Sequence, residues 1–132
     1  MSYPGFSPRH IPAIILATTS AFGGIWPMFN AEKAMLEFGF PRKVAQAPET
    51  RPVMVNGQAR TTILGALAFI FYFQGKFVEV DTIMAVFGLY AGVVDSYLVW
   101  KGGGPQKAVF RLAASWFLGV CGVAGLTAST LP

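Results

Sequence analysis

The chain has 132 residues, 54% of them hydrophobic, and a mean hydropathy of +0.53. Only 12% are charged, about half the share of an average soluble domain, and a fold this small buries too little of its surface to hide so much apolar material. An ordinary cytosolic globule, a disordered tail and a coiled coil are excluded, and a bilayer is the remaining solvent. The net charge of +4 includes no basic cluster dense enough for a phosphate footprint, so nucleic acid is not an expected partner. A single cysteine excludes a disulfide scaffold and a cysteine-based metal site.

A helix needs about 20 mostly apolar residues to cross hydrocarbon, and four segments qualify: 10–29, 60–78, 82–100 and 110–128. The expected fold is all-α, an integral membrane four-helix bundle forming one domain over residues 1–132. Residues 1–9 contain Pro and Ser with one basic side chain, and the next apolar run is too long for a signal h-region. The first segment is therefore expected to remain as an anchor.

After it, Ala31, Ala34, Met35 and Phe38 recur at helical spacing with Glu32, Lys33 and Glu37 on the other side. Gly39 and Pro41 end this short amphipathic helix, which reads as lying in the membrane interface. It opens a cytosolic cap over 31–58 whose second part, 42–57, contains Pro48 and Pro52 and reads as irregular. The second span has an uncharged core of only 61–73, which draws Arg60 to the interface. A tight turn over 74–81 makes the second and third spans antiparallel neighbours, with Asp81 in the first turn of the third, at the positive dipole end. Gly102, Gly103, Gly104 and Pro105 stop one helix and start the next.

Lys and Arg set the orientation. Arg9 and Lys76 fall on one side; Lys33, Arg42, Lys43, Arg51, Arg60, Lys101, Lys107 and Arg111 fall on the other. The positive-inside tendency places the 1–2 and 3–4 connections in the cytosol and both termini in a lumen, with the endoplasmic reticulum as the expected membrane.

Asp95 is the one acid inside a span. It precedes Lys101 by six positions, about 9 Å along the axis. Facing lipid would cost a few kcal/mol, so it is expected to point into the bundle and to have a partner. Gly88, Gly92 and Asp95 share a face, and the two glycines permit close approach of another helix. The same layer receives Asn30, Arg60 and Arg111. Arg60 is the preferred partner, because its planar fork can hold a carboxylate with two hydrogen bonds. Trp26, Tyr90, Tyr97 and Trp116 are candidate substrate contacts, although the belt and packing roles of aromatic residues apply to each. His10 lies at the opposite end from Asp95, so neither a metal site nor a Ser–His–Asp arrangement is expected. Ser115, Gly119 and Gly122 form a small-residue stripe suited to helix packing.

Pro27, then Phe38-Gly39-Phe40-Pro41, then Gly57-Gln58-Ala59-Arg60 with Gly65, and Val94-Asp95-Ser96 occur in that order along most of the chain. Together they resemble a family of small four-helix membrane proteins known mainly as a domain of unknown function. Such families often carry an acid after the arginine; Thr61 stands there in this chain, leaving Asp95 as the sole carboxylate within a span. The resemblance implies fungal relatives beside polyketide and terpenoid biosynthetic enzymes, and epoxide opening or cyclisation of lipophilic intermediates. On that reading Asp95 and Arg60 are catalytic, no cofactor is used, and the partners are a lipophilic small molecule and the bilayer. Gly88 and Gly92 suit contacts within one bundle or between two, which leaves a homodimer open, and the amphipathic helix 31–38 with the basic loops suits association with other membrane enzymes. Two other classes stay open: a small proton-coupled exporter of lipophilic compounds, and a non-catalytic scaffold for membrane enzymes.

Overall fold

The computed structural model describes residues 6–129, and every regular element among them is helical. A 3-10 turn, Pro8–His10, leads into α1 (Ile11–Gly23). It is followed by α2 (Trp26–Phe38), α3 (Arg42–Ala45), α4 (Thr50–Phe73), α5 (Phe77–Lys101) and α6 (Pro105–Val123). The long rods α1, α4, α5 and α6 pack side by side, α1 mainly on α4 and α5 mainly on α6. Small residues make these seams close. A Cβ on Gly65 would stand 2.8 Å from the Ala17 carbonyl, and one on Gly88 would stand 2.7 Å from the Ser115 carbonyl and the Gly119 amide.

The element boundaries differ from the sequence reading in two instructive places. The first helix stops at Gly23, and the chain turns by 100° before α2. Pro27 is the reason: continued straight, its ring would collide with the Gly23 carbonyl one turn back, whereas at the start of a new helix its missing N–H costs nothing. Within α2 the backbone breaks again at Asn30 (φ −153°, ψ 85°), whose Oδ1 accepts the Lys33 amide at 3.0 Å and so caps the remaining turns of the helix. Gly39, at φ 119°, ends the helix as its spacing predicts, with the Phe40 amide returning to the Met35 carbonyl at 3.0 Å.

The second difference is the cap. Residues 42–57 are not irregular: α3 fills the first turn, and α4 begins ten positions earlier than 60. Pro52 falls in the first turn of α4, where no intrahelical donor is lost. The connection from α4 to α5 takes only residues 74–76, closed by the Lys76 amide on the Phe71 carbonyl at 2.8 Å around Gly75 at φ 73°.

Among the described residues, α5 is the one continuous helix long and apolar enough to cross a membrane, at 25 residues; Pro8–Gly23 with Trp26–Phe38 counts as a second only if the bent pair is taken as one broken span. It is interrupted midway by a π-helical turn, Phe87–Ala91. Many large apolar side chains face outward from the bundle, including Phe22, Phe73, Tyr90, Phe110 and Phe117.

A compact apolar core of Ala13, Leu16, Tyr72, Val80 and Met84 occupies the end of the bundle away from Asp95. Buried polar groups close that end. His10 Nδ1 and the Tyr72 hydroxyl share a 2.8 Å hydrogen bond. Asp81 is buried too, and its carboxylate accepts the amides of Thr127 at 3.0 Å and Ala128 at 2.8 Å. The acid expected to sit at a helix dipole instead holds down the chain leaving α6.

Candidate functional site

A cavity of about 370 Å³ lies where α1, α2, α4, α5 and α6 converge, within the size range of small-molecule sites. The π turn of α5 supplies Phe87, Gly88 and Ala91 to its wall, and one turn further on Asp95 reaches it. Single π turns inside long helices recur at functional sites. Gly88 meets the backbone of α6 at Ser115 and Gly119, so the space is left to one side of a tight seam.

Asp95 is half-buried. Its electrostatic partner is Arg111 of α6, and among the described residues its carboxylate accepts no hydrogen bond. Its oxygens are therefore available to whatever enters the cavity.

Arg111 is held from behind. Its Nε donates to the Phe38 carbonyl at 2.6 Å, and its guanidinium lies 3.6 Å over the centre of the Phe38 ring. Phe38 in turn stacks on Phe40 at 4.9 Å. Lys107, one turn earlier on α6, donates to the carbonyls of Leu36 and Glu37 at 3.1 and 3.3 Å. Two cations of α6 thus bond the last carbonyls of α2 and tie that helix to α6.

Of the residues singled out from sequence, the structure brings Asp95, Arg111 and Trp26 to the cavity. It does not bring Arg60 there. Because α4 starts early, Arg60 falls in its third turn, faces outward, and donates Nη1 to the Asn56 carbonyl at 2.8 Å. In the motif Gly57-Gln58-Ala59-Arg60 it is Gln58 that lines the cavity, with Thr61 beside it. Asn30 is exposed and serves as the cap within α2. Tyr90 and Tyr97 point outward, 73% and 58% exposed, with Lys101 Nζ 5.8 Å over the Tyr97 ring. Trp116 is exposed, outside the cavity lining, with its edge toward Gly92.

Glu37 is the residue the sequence reading missed. It belongs to the polar side of an amphipathic helix on a helical wheel, yet it lines the same cavity as Asp95 and Arg111. The wheel assumes one covered face and one wet face. The 100° turn before α2 and the break at Asn30 set its direction across the bundle end, so that Glu37, though exposed, stands at the edge of the cavity.

Residues 17–126 match the model of DUF4267, a domain of unknown function. The chain belongs to this family. No curated protein and no solved structure matches it. The matched span contains Asp95, Arg111, Glu37, Trp26, Gln58 and Thr61, so the cavity is built within the family domain.

Proposed function

We propose that this chain is a small integral-membrane enzyme that opens the ring of a lipophilic epoxide, by hydrolysis or cyclisation, at Asp95, Glu37 and Arg111. The observation that carries the reading is the void beside a carboxylate that accepts no hydrogen bond. A purely structural acid would be packed against its partner instead.

The membrane setting rests on the outward apolar side chains of all four rods, which a water-soluble monomer would not carry in such number. It rests also on α5, and on the 100° angle that lays α2 across the bundle end as an interfacial helix would lie. With four crossings, the positive-inside tendency turns the cavity end toward the cytosol and both termini toward the lumen.

The chemistry balances without a cofactor. The oxygen of a water, or of a substrate hydroxyl in cyclisation, attacks a ring carbon as Asp95 takes its proton. The C–O bond of the epoxide breaks, and the departing oxygen receives a proton from the second carboxyl, Glu37. Arg111 faces this layer and stabilises the developing alkoxide.

A second reading is proton-coupled export of a lipophilic cation, with the cavity carboxylate Asp95 exchanging its proton for the cation. Vesicle uptake of such a cation down an imposed proton gradient separates the two. For the enzyme, Asp95→Asn assayed in membranes with lipophilic epoxides is expected to lose turnover by at least about a hundredfold, the usual worth of a general acid or base, while the protein folds normally. Full activity in that variant sinks the proposal.

A further inference from the structure

The cavity at Asp95 has two chemically different sides. Its ionisable groups Asp95 and Arg111 come from α5 and α6, with Glu37 of α2 at the edge. From the other pair of rods, α1 contributes Ser20, and α4 contributes Gln58 and Thr61, one turn apart on a single helix face. None of these three carries a charge. Ser20 is only 6% exposed, and among the described residues its hydroxyl makes no hydrogen bond. The Gln58 amide, with two donor hydrogens and an acceptor oxygen, and the Thr61 hydroxyl make none either. Neighbouring hydroxyls behave differently. Thr19, which also lines the cavity, donates Oγ1 to the Ile15 carbonyl at 2.7 Å, and Thr62 donates Oγ1 across to the Ala21 carbonyl at 3.1 Å.

We propose that Ser20, Gln58 and Thr61 form a hydrogen-bonding shelf for a second oxygen function of the substrate. That function is a hydroxyl or a carbonyl, borne on the same lipophilic molecule as the epoxide whose ring lies at Asp95. This rests on the catalytic reading above, and it narrows the substrate class from lipophilic epoxides in general to oxygenated ones. The group held on the shelf is neutral, because an ionised one would meet no opposite charge on that side. A carbonyl accepts from all three residues, and a hydroxyl pairs with any of them. Polar residues where membrane helices meet commonly hydrogen-bond across the seam, as Thr62 does. Ser20, Gln58 and Thr61 turn to the void instead, and Gln58 is too long to serve as a small packing residue. A buried polar group left without a partner costs free energy, so a ligand that supplies the partner is favoured over one that does not.

The test uses the full chain in membranes with terminal alkyl epoxides matched in length. One is plain, and the others bear a single hydroxyl or ketone at successive carbons from the ring. Turnover is expected to favour at least one oxygenated isomer over the plain one by about tenfold or more in kcat/KM, the worth of one or two hydrogen bonds. In the double variant Ser20→Ala, Gln58→Met, which removes hydrogen-bonding groups while keeping bulk, that ratio is expected to shrink to within about threefold. Gln58→Met and Thr61→Val singly carry the same direction should the double variant fail to fold. Thr62→Val, which removes a bonded hydroxyl outside the cavity lining, leaves the ratio as it was. Turnover with no preference, or a preference that survives these variants, overturns the shelf and leaves the catalytic reading standing. Binding is read separately in Asp95→Asn, where an oxygenated alkyl epoxide carrying a diazirine is expected to label α1 and α4. The best oxygenated isomer should compete that label away at about a tenth of the concentration the plain epoxide needs. Equal competition overturns the shelf. Preferential competition, with an unmodified chain that turns over no epoxide, overturns the catalytic reading and leaves the shelf standing.

Discussion

Arg111 joins three functions in one side chain: it holds the Phe38 carbonyl, stacks on the Phe38 ring and opposes Asp95. Only a planar guanidinium does all three, because a lysine ammonium has neither the fork nor the flat face. Arg111→Lys is therefore expected to keep the charge and lose the geometry. A hydrogen bond from a charged donor is worth about 1.5–3 kcal/mol, so kcat/KM should drop by at least about tenfold, and amide exchange over residues 36–40 should quicken as α2 loosens. Unaltered exchange would mean that α2 is held by other contacts. That Asp95 turns toward the bundle was legible in the sequence, because an acid on so apolar a helix is costly wherever it faces outward. Its partner was not, since Arg60 and Arg111 arrive at one depth and only the rotation of each helix selects between them. Asp81 makes the same point more sharply. Its hydrogen bonds reach Thr127 and Ala128, and no local pattern announces a contact so distant along the chain.

At the scale of elements, glycine placement decides how near the rods come. Gly88 and Gly57 are both helical, but a Cβ at Gly88 would strike the α6 backbone, whereas one at Gly57 would meet nothing within 4 Å. Gly88→Ala is thus expected to cost about 1–3 kcal/mol by overpacking. Gly57→Ala should raise stability by about 0.5–1 kcal/mol through lower backbone entropy in the unfolded chain. Thermal melts in detergent check the pair, and a Gly88→Ala variant as stable as the parent would show that α5 and α6 can part without loss. The seam itself was readable: Gly88 and Gly92 face Ser115 and Gly119, as their spacing predicts. Two helix ends were not. Hydropathy continues past Gly23 although Pro27 forbids the helix to do so, and the polar, proline-bearing start of α4 resembles a loop although its first turn tolerates Pro52.

For the whole molecule, the proposed membrane setting turns on the outward apolar surface. Large side chains such as Phe110, 72% exposed, lie outward in number along the rods, the kind of apolar surface that marks a membrane or a partner. The protein is expected to stay with membranes through high-salt and alkaline washing and to require detergent for release. Recovery in the wash would refute the membrane assignment. On the proposed orientation, cysteines placed near Lys43 and Lys107 are expected to react with an impermeant reagent added on the cytosolic side, and reaction only from the other side would overturn it.

The amino-acid sequence by itself determined the all-helical class and the small-residue seam. Each of these derives from composition or from spacing along a single helix, which no neighbour can alter. Which cation opposes Asp95, that Glu37 shares its cavity, and that Ser20, Gln58 and Thr61 line its other side were decided only in the tertiary structure. These depend on the azimuth of each helix and on a 100° turn, and both are set by how whole elements pack.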